Sequence, residues 1–275
     1  MPVISEKNAI EKKAKELRQR LITMIYKAQS GHPGGSLSAS DIVSALYFSE
    51  MRIDPKNPSW PDRDRFILSK GHCCPVHYTA LAMCGFFPLE VLDTLREFGS
   101  ILQGHPDMTK VPGIDMTTGS LGQGLSTGVG MAIGLKYDKS TARVFVVIGD
   151  GECDEGQIWE AASAAAKYKL SNLVAIIDAN GLQNDGPCEV VMPKQNHADK
   201  WRAFGWRVLE IDGHDMSQIL DALNSKASTS EEDKPLCIVA NTVKGKYVSF
   251  MENVVEWHGK APNDVEYRRA MEDLS

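Results

Sequence analysis

The chain has 275 residues, of which 43% are hydrophobic and 24% charged, and its formal net charge is −6. This is the composition of a globular chain long enough to bury a sizeable core, and without a basic run it gives no ground for nucleic-acid binding. No apolar run approaches the ~20 residues that a bilayer crossing needs, and Met-Pro-Val-Ile-Ser-Glu-Lys at the start has no apolar signal core. A cytoplasmic protein is therefore expected, with no membrane partner, and its six cysteines, none in a C-x-x-C pair, read as reduced thiols.

Residues 6–29 carry Ile10, Leu17, Leu21 and Ile25 at helical spacing among mixed Lys and Glu, which predicts a long amphipathic helix with a solvated charged face. Gly31 ends it, Pro33-Gly34-Gly35 reads as a loop, and Ser38 is a plausible cap for a helix reaching Tyr47. Residues 65–68 form a short strand, followed by a Gly-His turn and a helix over 75–83. The glycine-rich stretch 119–124 opens a helix of small residues to about 136. Next come an apolar strand over 144–148, a helix with Trp159 and a run of alanines, and a second apolar strand over 173–177. Strands over 204–211 and 236–242 flank a helix over 216–223, and 227–234 reads as a polar surface loop. Strand and helix alternate, which predicts an α/β fold: a parallel β-sheet flanked by helices on both faces. One domain over 1–275 is expected, with an irregular C-terminal extension from about 243.

Loops at the carboxyl ends of parallel strands converge at one sheet edge. Gly31-His32-Pro33, Gly71-His72, Gly104-His105-Pro106, Gly149-Asp150-Gly151 and Asn180-Gly181-Leu182 are expected there. After the strand at 144–148, Gly151 lets the backbone approach an anion, and the following helix offers unpaired N–H groups. Asp150 can ligate a hard cation, and Asn180 adds an amide oxygen from the next strand end. A carboxylate, an amide oxygen, a backbone carbonyl and phosphate oxygens together suit magnesium. Gly-Asp-Gly or Asn-Gly alone is only a turn; here both end apolar strands and 28 residues (152–179) separate them, enough for one helix and one strand.

At these residues the sequence resembles thiamine-diphosphate enzymes, and more narrowly the transketolase family. The segments that carry the resemblance are SGHPGGSLSASD, SKGH, GHPD, TTGSLGQGLSTGVGMAIG, GDGECDEGQIWEA, DANGLQNDG and WHGKAP, which span nearly the whole chain. The resemblance implies that Asp150, Asn180 and the Leu182 carbonyl bind Mg2+ or another divalent cation. It implies that the Gly151 N–H, His72 and His258 hold the diphosphate, and that Gly119 and Leu121 touch the cofactor rings. His32, His105 and His258 would face the substrate channel, and Glu155 and Glu160 would link cofactor sites across a subunit interface. His77, His197 and His214 match no motif and are expected to be surface or internally satisfied residues.

The resemblance further implies transfer of a two-carbon ketol unit from a ketose phosphate to an aldose phosphate. The carboxylate that activates thiamine diphosphate in the family belongs to a later domain, and only 13 residues (263–275) follow the WHGKAP match. A separate C-terminal transketolase subunit is therefore expected, in a heterotetramer of two of each. Ketol transfer on an unusual sugar phosphate remains open, since the partner would share the substrate contacts. GHPD and WHGKAP suit transketolase better than the related deoxyxylulose-phosphate synthase. A non-catalytic homologue that only binds partners is disfavoured because Asp150, Asn180 and His72 are all present.

Overall fold

Side chains along each central strand alternate between two apolar clusters, and this alternation organises the fold. In the computed structural model, which describes residues 4–193, 196–225, 231 and 233–275, five strands form one fully parallel sheet. They are β1 (Arg65–Leu68), β2 (Val144–Gly149), β3 (Leu173–Ala179), β6 (Arg207–Asp212) and β7 (Leu236–Asn241), in the order β1-β2-β3-β7-β6. A short hairpin, β4 (Leu182–Gln183) with β5 (Gly186–Pro187), follows β3.

Phe145 and Val147 of β2 point into one cluster, while Val144, Val146 and Ile148 point into the other. The first cluster is closed by α1 (Ile4–Ala28), α3 (Ser40–Ala45), α4 (Cys74–Cys84) and α9 (Met216–Leu223). The second is closed by α5 (Gln123–Tyr137), α6 (Gly156–Lys167) and α8 (His197–Ala203). Burial on both faces is why these strands read as continuous apolar runs. The expected parallel sheet with helices on both faces is thus observed. Three further helices, α2 (Pro33–Ser38), α7 (Cys188–Val191) and α10 (Asp264–Asp273), complete the set used below.

Some expectations need correction. Residues 33–35 are not a loop: Pro33 occupies the first turn of α2, where its missing N–H costs nothing, and the Ser36 hydroxyl donates to the His32 carbonyl at 2.7 Å. Ser38 ends α2 instead of capping the next helix, and its hydroxyl donates to Asp178. The strand expected over 204–211 starts at Arg207, because Phe204 to Trp206 form the turn that ends α8, with Gly205 at φ +85°. The charged face of α1 is solvated except at Arg18, which is 7% exposed and paired with Asp41 at 2.7 Å. The extension from 243 is not wholly irregular. It ends in α10, nucleated by a capping box between Asn263 and Glu266 that offsets its weak apolar stripe. The loop expected over 227–234 lies largely outside the described residues. All six cysteines are free thiols. Among the described residues, no helix is long and apolar enough to cross a membrane.

Candidate active site

β1, β2, β3 and β7 run parallel, so their carboxyl ends bring Lys70, Asp150, Asn180 and Lys244 to one edge of the sheet. A cleft of about 570 Å³ opens there. Its lining includes His32, His72, Gly119, Leu121, Asp150, Gly151, Glu155, Asn180, Leu182 and His258. Ten of the twelve residues singled out in the sequence thus share one cavity. His105 and Glu160 do not line it. Only three of the five expected loops follow strand ends directly. Gly31-His32-Pro33 joins α1 to α2, and Gly104-His105-Pro106 lies in the irregular stretch between α4 and α5.

Asp150 is 6% exposed. Its Oδ2 accepts the Gly181 N–H at 2.7 Å, and its Oδ1 lies 2.8 Å from His197 Nε2. Asn180 Oδ1 accepts the Leu182 N–H at 3.1 Å, so the turn after β3 is folded around its own side chain. The Leu182 carbonyl accepts from Lys244 Nζ at 3.1 Å. These oxygens are donors suited to a hard cation. At Gly151 a Cβ would stand 2.8 Å from the Gln183 Cβ, so only glycine lets the hairpin lie against this turn.

The imidazoles of His32, His72 and His258 form a triangle, with ring centroids 5.0, 5.2 and 5.5 Å apart. Burial lowers all three pKa values, with repulsion from neighbouring imidazoles and Lys side chains adding to the effect. His32 and His72 are pushed to about 4 and His258 to about 3. The rings are neutral near pH 7 and can both donate and accept hydrogen bonds. His105 stands exposed at the rim, its pKa lowered chiefly by burial. Its ring lies over Gly119, where a Cβ would sit 3.0 Å from His105 Cγ; Gly119 is also at φ +147°.

Four buried charged groups in this region escaped the sequence reading. Lys70 pairs with Asp178 and donates to the Gly35 carbonyl at 2.9 Å. Burial lowers the Lys70 pKa, but the Asp178 charge and hydrogen bond outweigh it and raise the value overall. Asp178 also accepts from Ser38 and Thr242, so this one carboxylate ties together α2, β3 and the end of β7. Glu152 accepts from the Ser69 hydroxyl and from the N–H groups of Gly122 and Gly149, the latter two at 2.9 Å each, joining three loops of the cleft. Burial raises its pKa against the pull of these donors.

Lys244 is 2% exposed and lies 2.8 Å from His258 Nδ1. Burial lowers its pKa, and no ion pair to a carboxylate is found for it among the described residues. A lysine two or three residues past an apolar strand was the available signal for both Lys70 and Lys244.

His214 matches expectation, whereas His77 is buried with only one ring nitrogen partnered, its Nδ1 making no hydrogen bond among the described residues. His77 bonds Tyr47 at 2.7 Å inside the core; His214 bridges Asp41 and the Val243 N–H at 2.9 Å each. His197 departs from expectation, since it reaches Asp150. Glu155 begins α6 at the cleft wall, whereas Glu160 lies on the exposed outer face of the same helix.

Comparison with known proteins gives a consistent answer. Residues 10–274 match the family model described as "Transketolase, thiamine diphosphate binding domain". One of the subunits of the apulose-4-phosphate transketolase of Phocaeicola vulgatus is 47% identical over 266 residues, covering 97% of this chain and 94% of that one. The 6-deoxy-6-sulfo-D-fructose transketolase subunit SqwG of a Clostridium species is 45% identical, covering 96% of each chain. Human transketolase is 40% identical over 92% of this chain, which spans only 40% of the human protein. The crystal structure of transketolase from Campylobacter jejuni superimposes with a TM-score of 0.90 at 31% identity, covering 100% of this chain and 43% of that one.

Proposed function

The chain belongs to the transketolase family through its thiamine diphosphate binding domain, and from that premise we propose that it is the cofactor-holding subunit of a two-subunit transketolase. It would transfer a two-carbon ketol unit between sugar phosphates once joined to a C-terminal partner chain, in an assembly with two copies of each. The observation that carries this reading is one of extent. The chain spans 94–96% of two relatives that are themselves named as transketolase subunits, but about two-fifths of full-length transketolases. A cytoplasmic location, with its reduced thiols, is part of the same reading.

The cleft fits the group that the family implies. Asp150, Asn180 and the Leu182 carbonyl are all-oxygen donors for Mg2+. Lys244 is a buried cation without a carboxylate counter-charge among the described residues, and it faces the same cavity as the Gly151 turn. Such a cation is best satisfied by an anion, here the diphosphate. Binding would require Lys244 to share or release the Leu182 carbonyl. Thiamine diphosphate supplies the carbanion chemistry when bound; the protein binds, orients and polarises. Gly119 and Leu121 would pack on its rings, and His72 and His258 would contact the diphosphate. Neutral imidazoles of His32, His105 and His258 would donate to and accept from substrate hydroxyls.

Two relatives are named for unusual sugars, apulose 4-phosphate and 6-deoxy-6-sulfo-D-fructose, which favours a second reading in which the donor of this enzyme is also unusual. Turnover by the chain mixed with its partner, thiamine diphosphate and Mg2+ tests the first reading. A panel that sets ordinary ketose phosphates against those two sugars decides between the readings. Robust turnover by the purified chain alone would refute the need for a partner chain.

A further inference from the structure

His197 opens α8, on the helical layer that covers the second apolar cluster, and no transketolase-like motif of this chain includes it. Its imidazole nevertheless reaches the turn after β2. Nε2 lies 2.8 Å from Asp150 Oδ1, with the two side chains 12% and 7% exposed. An ionised carboxylate only accepts hydrogen bonds, so Nε2 carries the proton. The other ring nitrogen, Nδ1, is buried without a hydrogen-bond partner among the described residues. Within that set, then, the ring's hydrogen bonding is spent on Asp150. Packing alone does not account for it, because an apolar side chain would fill the same volume without stranding a buried nitrogen.

Asp150 is held from two sides: Gly181 donates to Oδ2 from the turn after β3, and His197 donates to Oδ1 from α8. Two donors on opposite oxygens fix the rotation of the carboxylate plane. A carboxylate has about four lone-pair sites, so an oxygen that accepts one of these bonds can also ligate a cation. We propose that His197 is a positioning residue of the cation site, holding Asp150 in its ligating orientation by donation from Nε2. This rests on the reading that Asp150 ligates a divalent cation. Hydrogen-bond partners of metal ligands typically contribute ~10–100-fold to metal affinity.

The test is calorimetric titration of Mg2+ into the assembled two-chain complex at saturating thiamine diphosphate, with His197→Ala, His197→Leu, His197→Gln and Asp150→Asn variants. Leu refills the volume without a donor, and Gln places an amide N–H near the position of Nε2. Melting temperatures without Mg2+ check that each variant is folded. The proposal expects Ala and Leu to weaken Mg2+ binding ~10-fold or more, and Gln to stay within ~3-fold of the parent. Unchanged affinity in Ala and Leu, or a Gln variant as weak as Leu, overturns it. Asp150→Asn is the separate control: if that variant keeps full affinity, the assignment of Asp150 itself fails, whatever the His197 variants do.

Discussion

The imidazoles lining the cleft are uncharged near neutral pH because burial lowers their pKa values, and their roles divide by position. His32 and His105 sit in Gly-His-Pro turns whose prolines stiffen the backbone. His32→Ala and His105→Ala are expected to lower kcat/KM for the ketose donor ~10²-fold or more while cofactor affinity holds within ~3-fold. His72→Ala should instead weaken cofactor binding first. Donor kinetics and cofactor titration on the reconstituted complex check this, and the reverse pattern would end the division of labour. Asp150→Ala should abolish Mg2+-dependent cofactor binding, because it removes the one ionised ligand of the proposed set; calorimetry with and without Mg2+ reads the loss. His77 makes a separate prediction. Burial pushes its pKa down to about 3 from an ordinary 6.5. The unfolded chain therefore binds a proton that the folded chain refuses, and stability that is full above pH 6.5 drains as pH falls toward 3. The expected slope from this group is ~1.4 kcal/mol per pH unit inside that window. A His77→Gln variant should show a shallower decline of Tm between pH 6.5 and 4 than the parent.

At the scale of elements, the strands were legible because both faces of the sheet are buried, and apolar runs such as 144–148 and 173–177 leave little choice of conformation. Short helices were harder. α2 is six residues and looks like a Pro-Gly-Gly loop, and α10 is a polar helix held by a cap instead of an apolar stripe. The resemblance implies a subunit contact at Glu155 and Glu160, at the start of α6 and within it, and α5 packs beside that helix. The outer surface of this pair exposes Gly130, Ile133, Gly134, Tyr137, Gly156 and Glu160, and a Cβ on any of the three glycines would meet nothing within 4 Å. Small residues beside Ile133 and Tyr137 allow close approach of another helix. Glu160→Arg is expected to weaken association of the complex ~10-fold or more, read by sedimentation. Unchanged association would place the contact elsewhere.

At the scale of the molecule, the cleft belongs to no single segment. Asp178 joins α2, β3 and the end of β7, Glu152 joins three loops, and Lys244 carries a C-terminal residue into the centre. The C-terminal helix returns to the first: Tyr26 and Tyr267 stack at 4.1 Å, and Gln19 Nε2 donates to the Leu274 carbonyl at 2.9 Å. These ties support the proposal of one folding unit, so calorimetric unfolding should give a single cooperative transition. Removing residues 261–275 should lower Tm instead of leaving it unchanged.

The sequence by itself determined the fold class, the edge of the sheet where the chemistry gathers, and ten residues that share the cleft. The fold class and the sheet edge follow from local rules, since apolar runs make buried strands, glycines mark close turns and parallel strands present their ends together; most of the ten residues follow from the resemblance to the transketolase family. Only the tertiary structure decided which charges face each other. Lys70 meets Asp178 across 108 positions and His197 meets Asp150 across 47. Lys244 reaches the cleft with no carboxylate paired to it among the described residues. Pairings of this kind depend on distances between elements that packing sets, and no spacing along the chain encodes them.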